Sequence, residues 1–258
     1  MGVQLENTLP ERVEVMGVPV DPWTMAQTVE RAGQLVEEGA FAHLIGVNAD
    51  KVLQMRDDPE IDAIVRRCEI VNADGASMVM AARRLGADVP ERVAGIDLMW
   101  ELCALAQREG YRVCLVGARR EVVEKTKSVL EERYPGIDIA WARDGYFAEG
   151  EFDEVGAELA SHSPQITFVG ITSPKKERLI ERFRELGLKG AYVGVGGSFD
   201  VVSGCIPRAP LWMRRARLEW LFRMMQEPGR LAKRYLVGNA RFMRLLRAEE
   251  KRMRREAR

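Results

Sequence analysis

The chain has 258 residues, of which 47% are hydrophobic and 30% charged, with a formal net charge of zero; that is enough for one large α/β domain or for a domain of roughly 200 residues with an appendage, and it is the composition of a soluble globular chain, not of a disordered or spanning one. No apolar run approaches the roughly 20 residues that a spanning helix needs, and the opening MGVQLENTLPERVEV has no secretory h-region, so the expectation is a cytoplasmic protein. Four scattered cysteines without a CxxC pair read as reduced structural thiols, and with only two histidines the chain lacks material for a His-based zinc site or a Ser-His-Asp triad.

β-forming apolar runs alternate with stretches of helical period along the chain. RVEVM opens the series, followed by a helix near residues 23–38, the strand FAHLIGV, and short helices over about 50–67. EIVN precedes one helix from about Ala76 and another after Gly95. YRVCLVG leads to a helix near residues 121–134, and IDIAWA, QITFVGI and AYVGV complete the series, with a helix starting after Pro174. This order predicts an α/β fold, a mostly parallel sheet with helices on both faces. His43, inside FAHLIGV, reads as a packed strand residue.

Ligands of such sheets bind outside the carboxyl ends of the strands, and the loops there are unusual. They carry Asn48, Asp74-Gly75, Gly117, Asp144-Gly145-Tyr146-Phe147, Ser173-Pro174-Lys175-Lys176 and Gly196-Gly197-Ser198-Phe199-Asp200. Each alone is also what a turn requires; their convergence on one sheet edge favours a site. The run from Gly194 to Asp200 is a weak phosphate-loop signal, because Phe199 replaces the third glycine of GxGxxG and no Walker lysine follows.

The last stretch is different in charge. Residues 208–258 hold 16 Lys and Arg against 5 Asp and Glu, leaving 23 against 34 for residues 1–207. An acidic body with a basic tail points to a polyanionic partner, a membrane surface or a nucleic acid. A helix over about 211–226 places Leu218, Leu221, Phe222 and Met225 in a stripe expected to dock on the body, with Trp220 and Met224 elsewhere on the wheel. Pro228 is read as a break. A final helix from about Ala240 sets Phe242, Leu245, Leu246 and Met253 opposite Arg244, Arg247, Lys251, Arg254 and Arg255, the pattern of an interfacial helix on an anionic leaflet.

The segments VNADK, NADGAS, ERVAGIDL, RDGYF, GITSPKKE, GVGGSFDVVSG and RAPLWMRRARLEWLFRMMQEPGRLAKRYLVGN together resemble the WecG/TagA/CpsF glycosyltransferases, collinearly over about residues 13–242. The resemblance implies a Rossmann-like body over 1–207 and a helical appendage over 208–258 that attaches to the membrane and closes the site. It implies an inverting, metal-independent transfer from a UDP-sugar, N-acetylmannosamine-like, to a polyprenyl-diphosphate-linked sugar in cell-surface polysaccharide or teichoic acid synthesis. The donor is a substrate and no cofactor is implied. The location it implies is the inner face of the cell membrane, and an oligomer is compatible with it.

Such chemistry needs a base for the acceptor hydroxyl and cations or N–H groups for the departing UDP. Asp74 matches the family's catalytic aspartate; its bland alternative is a helix cap. Asn48 and Arg92 match substrate-binding positions, with an N-cap and a surface ion pair as alternatives. Gly117, Gly196, Gly197 and Phe199 fall in the nucleotide loops, and Tyr146 and Asp200 are similar to residues assigned to the uridine. Asp97 reads as a helix-start residue. Arg223, Arg230 and Lys233 match tail positions that reach back to the diphosphates. Lys176 stands where relatives commonly have an amide, and a buried ammonium there calls for an extra negative charge on the donor or the acceptor, such as a uronic acid sugar. Two other readings stand beside this one. A nucleic-acid-binding protein would need interleaved exposed aromatics or a recognised motif that the tail lacks. A non-catalytic nucleotide-sugar sensor or scaffold would bind the donor without releasing UDP.

Overall fold

The computed structural model describes residues 9–216 and 218–256, without the side chains of residues 230–235. Six strands form the central sheet: β3 (Phe41–Val47), β4 (Ile70–Ala73), β5 (Arg112–Gly117), β6 (Asp138–Arg143), β7 (Ile166–Gly170) and β8 (Gly190–Gly194). Their order is β4-β3-β8-β7-β5-β6 and every neighbouring pair is parallel. All six therefore end at one edge.

RVEVM does not join this sheet. It supplies β1 (Val13–Val15), which pairs only with β2 (Val18–Val20) in a separate antiparallel hairpin. Met16 and Gly17 form the two-residue turn with φ of 59° and 81°, the doubly left-handed turn whose twist suits a tight hairpin.

The period of two along each strand divides the core. Leu44, Leu115, Phe168 and Val193 face α1 (Met25–Glu37), α5 (Gly95–Glu109), α6 (Arg120–Arg133) and α9 (Ser198–Val202). Ile45, Val47 and Val71 face α2 (Ala49–Asp57), α3 (Pro59–Arg67) and α4 (Ala76–Arg84), while Val116, Val169 and Tyr192 face α7 (Phe152–Ser161) and α8 (Lys175–Glu185). Helices cover both faces, as a parallel sheet requires.

The C-terminal segment departs from expectation in three ways. The helix expected over 211–226 is two helices, α10 (Leu211–Arg215) and α11 (Glu219–Gln226), and the Leu218 N–H closes back on the Met213 carbonyl at the turn. Met213 is buried there, whereas α11 buries no residue and Met225, placed in the docking stripe, is 58% exposed. Pro228 starts a helix instead of breaking one: α12 runs Pro228–Glu256, because a first-turn proline forfeits no intrahelical bond. The face assigned to lipid is largely taken by protein. Phe242 and Leu246 are fully buried in the cluster of Val47, Val52 and Ala81. Flanking them, Arg241 pairs with Asp57 and Arg84 with Glu250.

Candidate functional site

Asp74 follows β4 directly. Its N–H and that of Gly75 bond the Val47 carbonyl of the adjacent strand at 2.9 and 3.3 Å. The side chain fits because residue 46 is glycine: a Cβ there would lie 2.8 Å from the Cβ of Asp74. Gly75, not Asp74, is the cap of α4, and no side chain bonds that helix end. The carboxyl is therefore free of the capping duty that was its alternative role. It turns to the start of α5, where the Gly95 N–H approaches it at 3.4 Å, a placement that favours the anion. Although 30% of its side-chain surface is open, the surrounding protein strips enough hydration to raise its pKa, against the pull of Arg92, Arg223, the Gly95 N–H and Lys176. A carboxylate held this way is a better proton acceptor than an ordinary surface aspartate.

Arg92 lies against this group. Its Nε donates to the Asp74 main-chain carbonyl at 2.5 Å, and its Nη2 stands 3.8 Å from the carboxyl and 2.9 Å from Glu219 Oε2 on α11. Glu219 Oε1 also faces Arg208 Nε at 3.6 Å, while Arg208 grips both oxygens of Asp97 at 2.7 and 2.8 Å. Asp97 thus does more than start its helix. Burial would raise the Glu219 carboxyl, but Arg92, Arg208 and Arg223 together bring it below the usual range. Three arginines, two of them from the tail segment, are gathered around Glu219, and two of the three, Arg92 and Arg223, also act on Asp74.

A second cluster sits under the neighbouring loops. The Lys51 ammonium is buried and bonds Glu177 Oε1 at 2.7 Å and Ser173 Oγ at 2.6 Å. Glu177 also meets Lys176 Nζ at 3.5 Å, and the Lys176 stem lies over Gly194, where a Cβ would meet Cε at 3.1 Å. Part of the negative charge that half-buried Lys176 calls for is therefore supplied by Glu177. Asn48 spends its Oδ1 on the Lys51 N–H as the cap of α2, its bland alternative, although the cap sits against Gly75 with no room for a Cβ between them. Burial lowers the His43 pKa to about 3, and both ring nitrogens lack partners. His43 is a strand residue, as expected.

On the other half of the edge, backbones cross closely. A Cβ on Gly117, whose φ is +142°, would lie 2.4 Å from the Gly170 carbonyl carbon, and one on Gly170 would strike the Phe199 ring at 2.5 Å. Gly117 is thus required for packing. Phe199 is fully buried over Gly170 and presents no surface to a ligand, which corrects its assignment to binding; the aromatic fills the space that the two glycines leave. Gly196 has a φ of +51° with open space around it, and Gly197 and Asp200 flank it at the start of α9. Tyr146 is 76% exposed on a loop fixed by its own N–H to Asp144 and by Lys175, whose ammonium bonds the Gly145 and Phe147 carbonyls. The side chains of Arg230 and Lys233 lie outside the described residues.

Glu219, Arg208, Lys51 and Glu177 were not expected at this edge from the sequence. Lys51 and Glu177 stand inside the segments VNADK and GITSPKKE, whereas Glu219 and Arg208 lie in the basic tail with no local mark of this role.

The model of the glycosyl transferase WecG/TagA/CpsF family matches residues 13–256, nearly the whole chain. The chain belongs to that family. This WecG/TagA/CpsF member is thus a glycosyltransferase of cell-surface polysaccharide synthesis, a class that acts on a nucleotide-sugar and an acceptor. The match also spans α10, α11 and α12, so the arginines of the tail segment fall within the family's own extent.

Proposed function

We propose that the protein transfers a sugar from a UDP-sugar to a polyprenyl-diphosphate-linked sugar with inversion, using Asp74 as the base. The observation that carries this reading is the uncapped Asp74 carboxylate at a sheet edge, its pKa raised by burial and its surroundings dominated by arginine. Asp74 takes the proton of the acceptor hydroxyl as that oxygen bonds the anomeric carbon. The bond from that carbon to the β-phosphate oxygen breaks, and UDP leaves with the electron pair. Arg92, Arg223 and Lys176, with Arg230 and Lys233 of the tail, offset the phosphate charge. Asn48 bonds the sugar through its amide, the uridine lies against Tyr146, and Asp200 with Gly196 and Gly197 receives the rest of the nucleotide. The step needs no metal.

The donor sugar is N-acetylmannosamine-like. Lys51 and Lys176 against Glu177 leave one surplus positive charge, suited to the diphosphate and able to accept a uronic acid carboxylate as well. Residues 1–207 form the catalytic body, and 208–258 the appendage that completes the site at the inner membrane face. Exposed Leu211, Trp212, Leu236 and Val237 in a basic segment fit an anionic lipid surface. Among the described residues no helix is long and apolar enough to cross a membrane.

The test is a panel of UDP-sugars scored first by thermal shift, since a ligand of the native state raises its apparent stability, and then by UDP release with a short-chain polyprenyl-diphosphate-linked acceptor. Acceptor-dependent release of UDP is the expected result. Stabilisation by a UDP-sugar without any release would make the chain a sensor or scaffold instead.

A further inference from the structure

Glu219 is an acid in a segment otherwise rich in cations, and it reaches the site from 127 residues beyond Arg92. Its side chain is 12% exposed and clamped by arginine on both oxygens, Arg92 at 2.9 Å and Arg208 at 3.6 Å. α11 has no fully buried residue, and it meets Arg92 at the site through the Glu219 ion pair. A free arginine side chain keeps much rotamer entropy that ordering must overcome, and Arg92 is 29% exposed. Some partner must hold it if it is to hold anything else.

What Arg92 holds is the reacting loop. Its Nε donates to the Asp74 carbonyl, the next residue's N–H, that of Val93, bonds the Ala73 carbonyl at 3.0 Å, and the Gly95 N–H reaches the Asp74 carboxyl. Residues 92–95 thus clasp residues 73–74 at three points, and the outermost is anchored by Glu219. We propose that Glu219 is a positioning residue of the transfer reaction: from the appendage it fixes Arg92, and through Arg92 the main chain and carboxyl of Asp74, so that docking of α11 and alignment of the base are one event. This rests on the reading of Asp74 as the base. Glu219 itself touches no substrate.

The experiment uses the full-length chain and its Glu219→Ala and Glu219→Gln variants. Three quantities are measured: backbone amide exchange, the Kd for UDP, and kcat for UDP release from the best donor of the panel with the short-chain acceptor. In Glu219→Ala, amides of residues 74–76 and 93–95 should exchange about tenfold faster together with those of 219–226, while strands β5 and β7 stay protected. The kcat should fall by about 10- to 100-fold with the UDP Kd unchanged or tighter. Glu219→Gln keeps an acceptor for Arg92 and should fall between wild type and Glu219→Ala. Faster exchange confined to 219–226 with an intact kcat would overturn the proposal, as would equal losses in kcat and UDP affinity. If the wild-type chain turns over no UDP-sugar, the proposed activity fails on its own, and the exchange at 74–76 still decides whether Glu219 reaches Asp74.

Discussion

Where α2 and α8 meet under the site, two ammonium groups share one carboxylate. Burial would raise the Glu177 carboxyl, but Lys176, Lys51 and the Ser173 hydroxyl overcome it and bring the pKa from 4.5 down to about 2. Lys51 shifts in the unfavourable direction: burial lowers it and the nearby Lys176 adds to that, while Glu177 and Asp50 only partly oppose them. A carboxylate with a depressed folded pKa contributes stability that is fully present above 4.5 and is lost as pH falls toward about 2. Removing only the cation leaves the buried acid poorly compensated. Lys51→Met should therefore cost about 3 kcal/mol near neutral pH, the low end for a broken buried pair because Lys176 remains, whereas Lys51→Met with Glu177→Leu should cost clearly less than the sum of the single changes. Urea unfolding of the four proteins measures this, and additive losses would show that the pair is not a unit. The pairing was not legible in the sequence. Lys51 and Glu177 stand 126 positions apart, and a lysine in a first helical turn reads locally as a surface residue.

At the scale of elements, α12 shows what a hydrophobic pattern does and does not specify. The spacing of Phe242, Leu245 and Leu246 identified one apolar face. It did not identify what that face meets, since lipid and a protein core are equally apolar. The structure gives Phe242 and Leu246 to the core beside α2, with both residues essentially unexposed. Leu246→Ala should then destabilise the whole fold by about 2–5 kcal/mol in denaturant unfolding without any lipid present. An unchanged midpoint would mean that α12 leaves the body in solution. The strands after residue 40 were legible because each is a short β-branched run closed by turn residues. RVEVM carried the same signal, yet its turn at Met16-Gly17 folds it onto β2. Pro228 misled because proline both ends helices and begins them, and only the surrounding helix resolves which.

At the scale of the whole molecule, a parallel sheet brings six strand ends to one edge, and the tail segment adds arginine to the same place. The acidic body and basic tail read from the charge count become a local arrangement: Asp74, Asp97 and Glu219 interleaved with Arg92, Arg208 and Arg223. Asp74 and Arg92 were legible because local motifs surround them. Glu219 and Arg208 were not, since their meaning depends on where a distant helix comes to rest. Asp74 is proposed as the base of sugar transfer in this WecG/TagA/CpsF glycosyltransferase, and Asp74→Asn preserves the shape of the side chain while removing that capacity. The deciding measurement is acceptor-dependent sugar transfer by wild type and Asp74→Asn, with UDP binding measured alongside. The variant should bind UDP nearly as wild type does and transfer sugar about 10²- to 10⁴-fold more slowly; transfer at the wild-type rate would show that Asp74 is not the base.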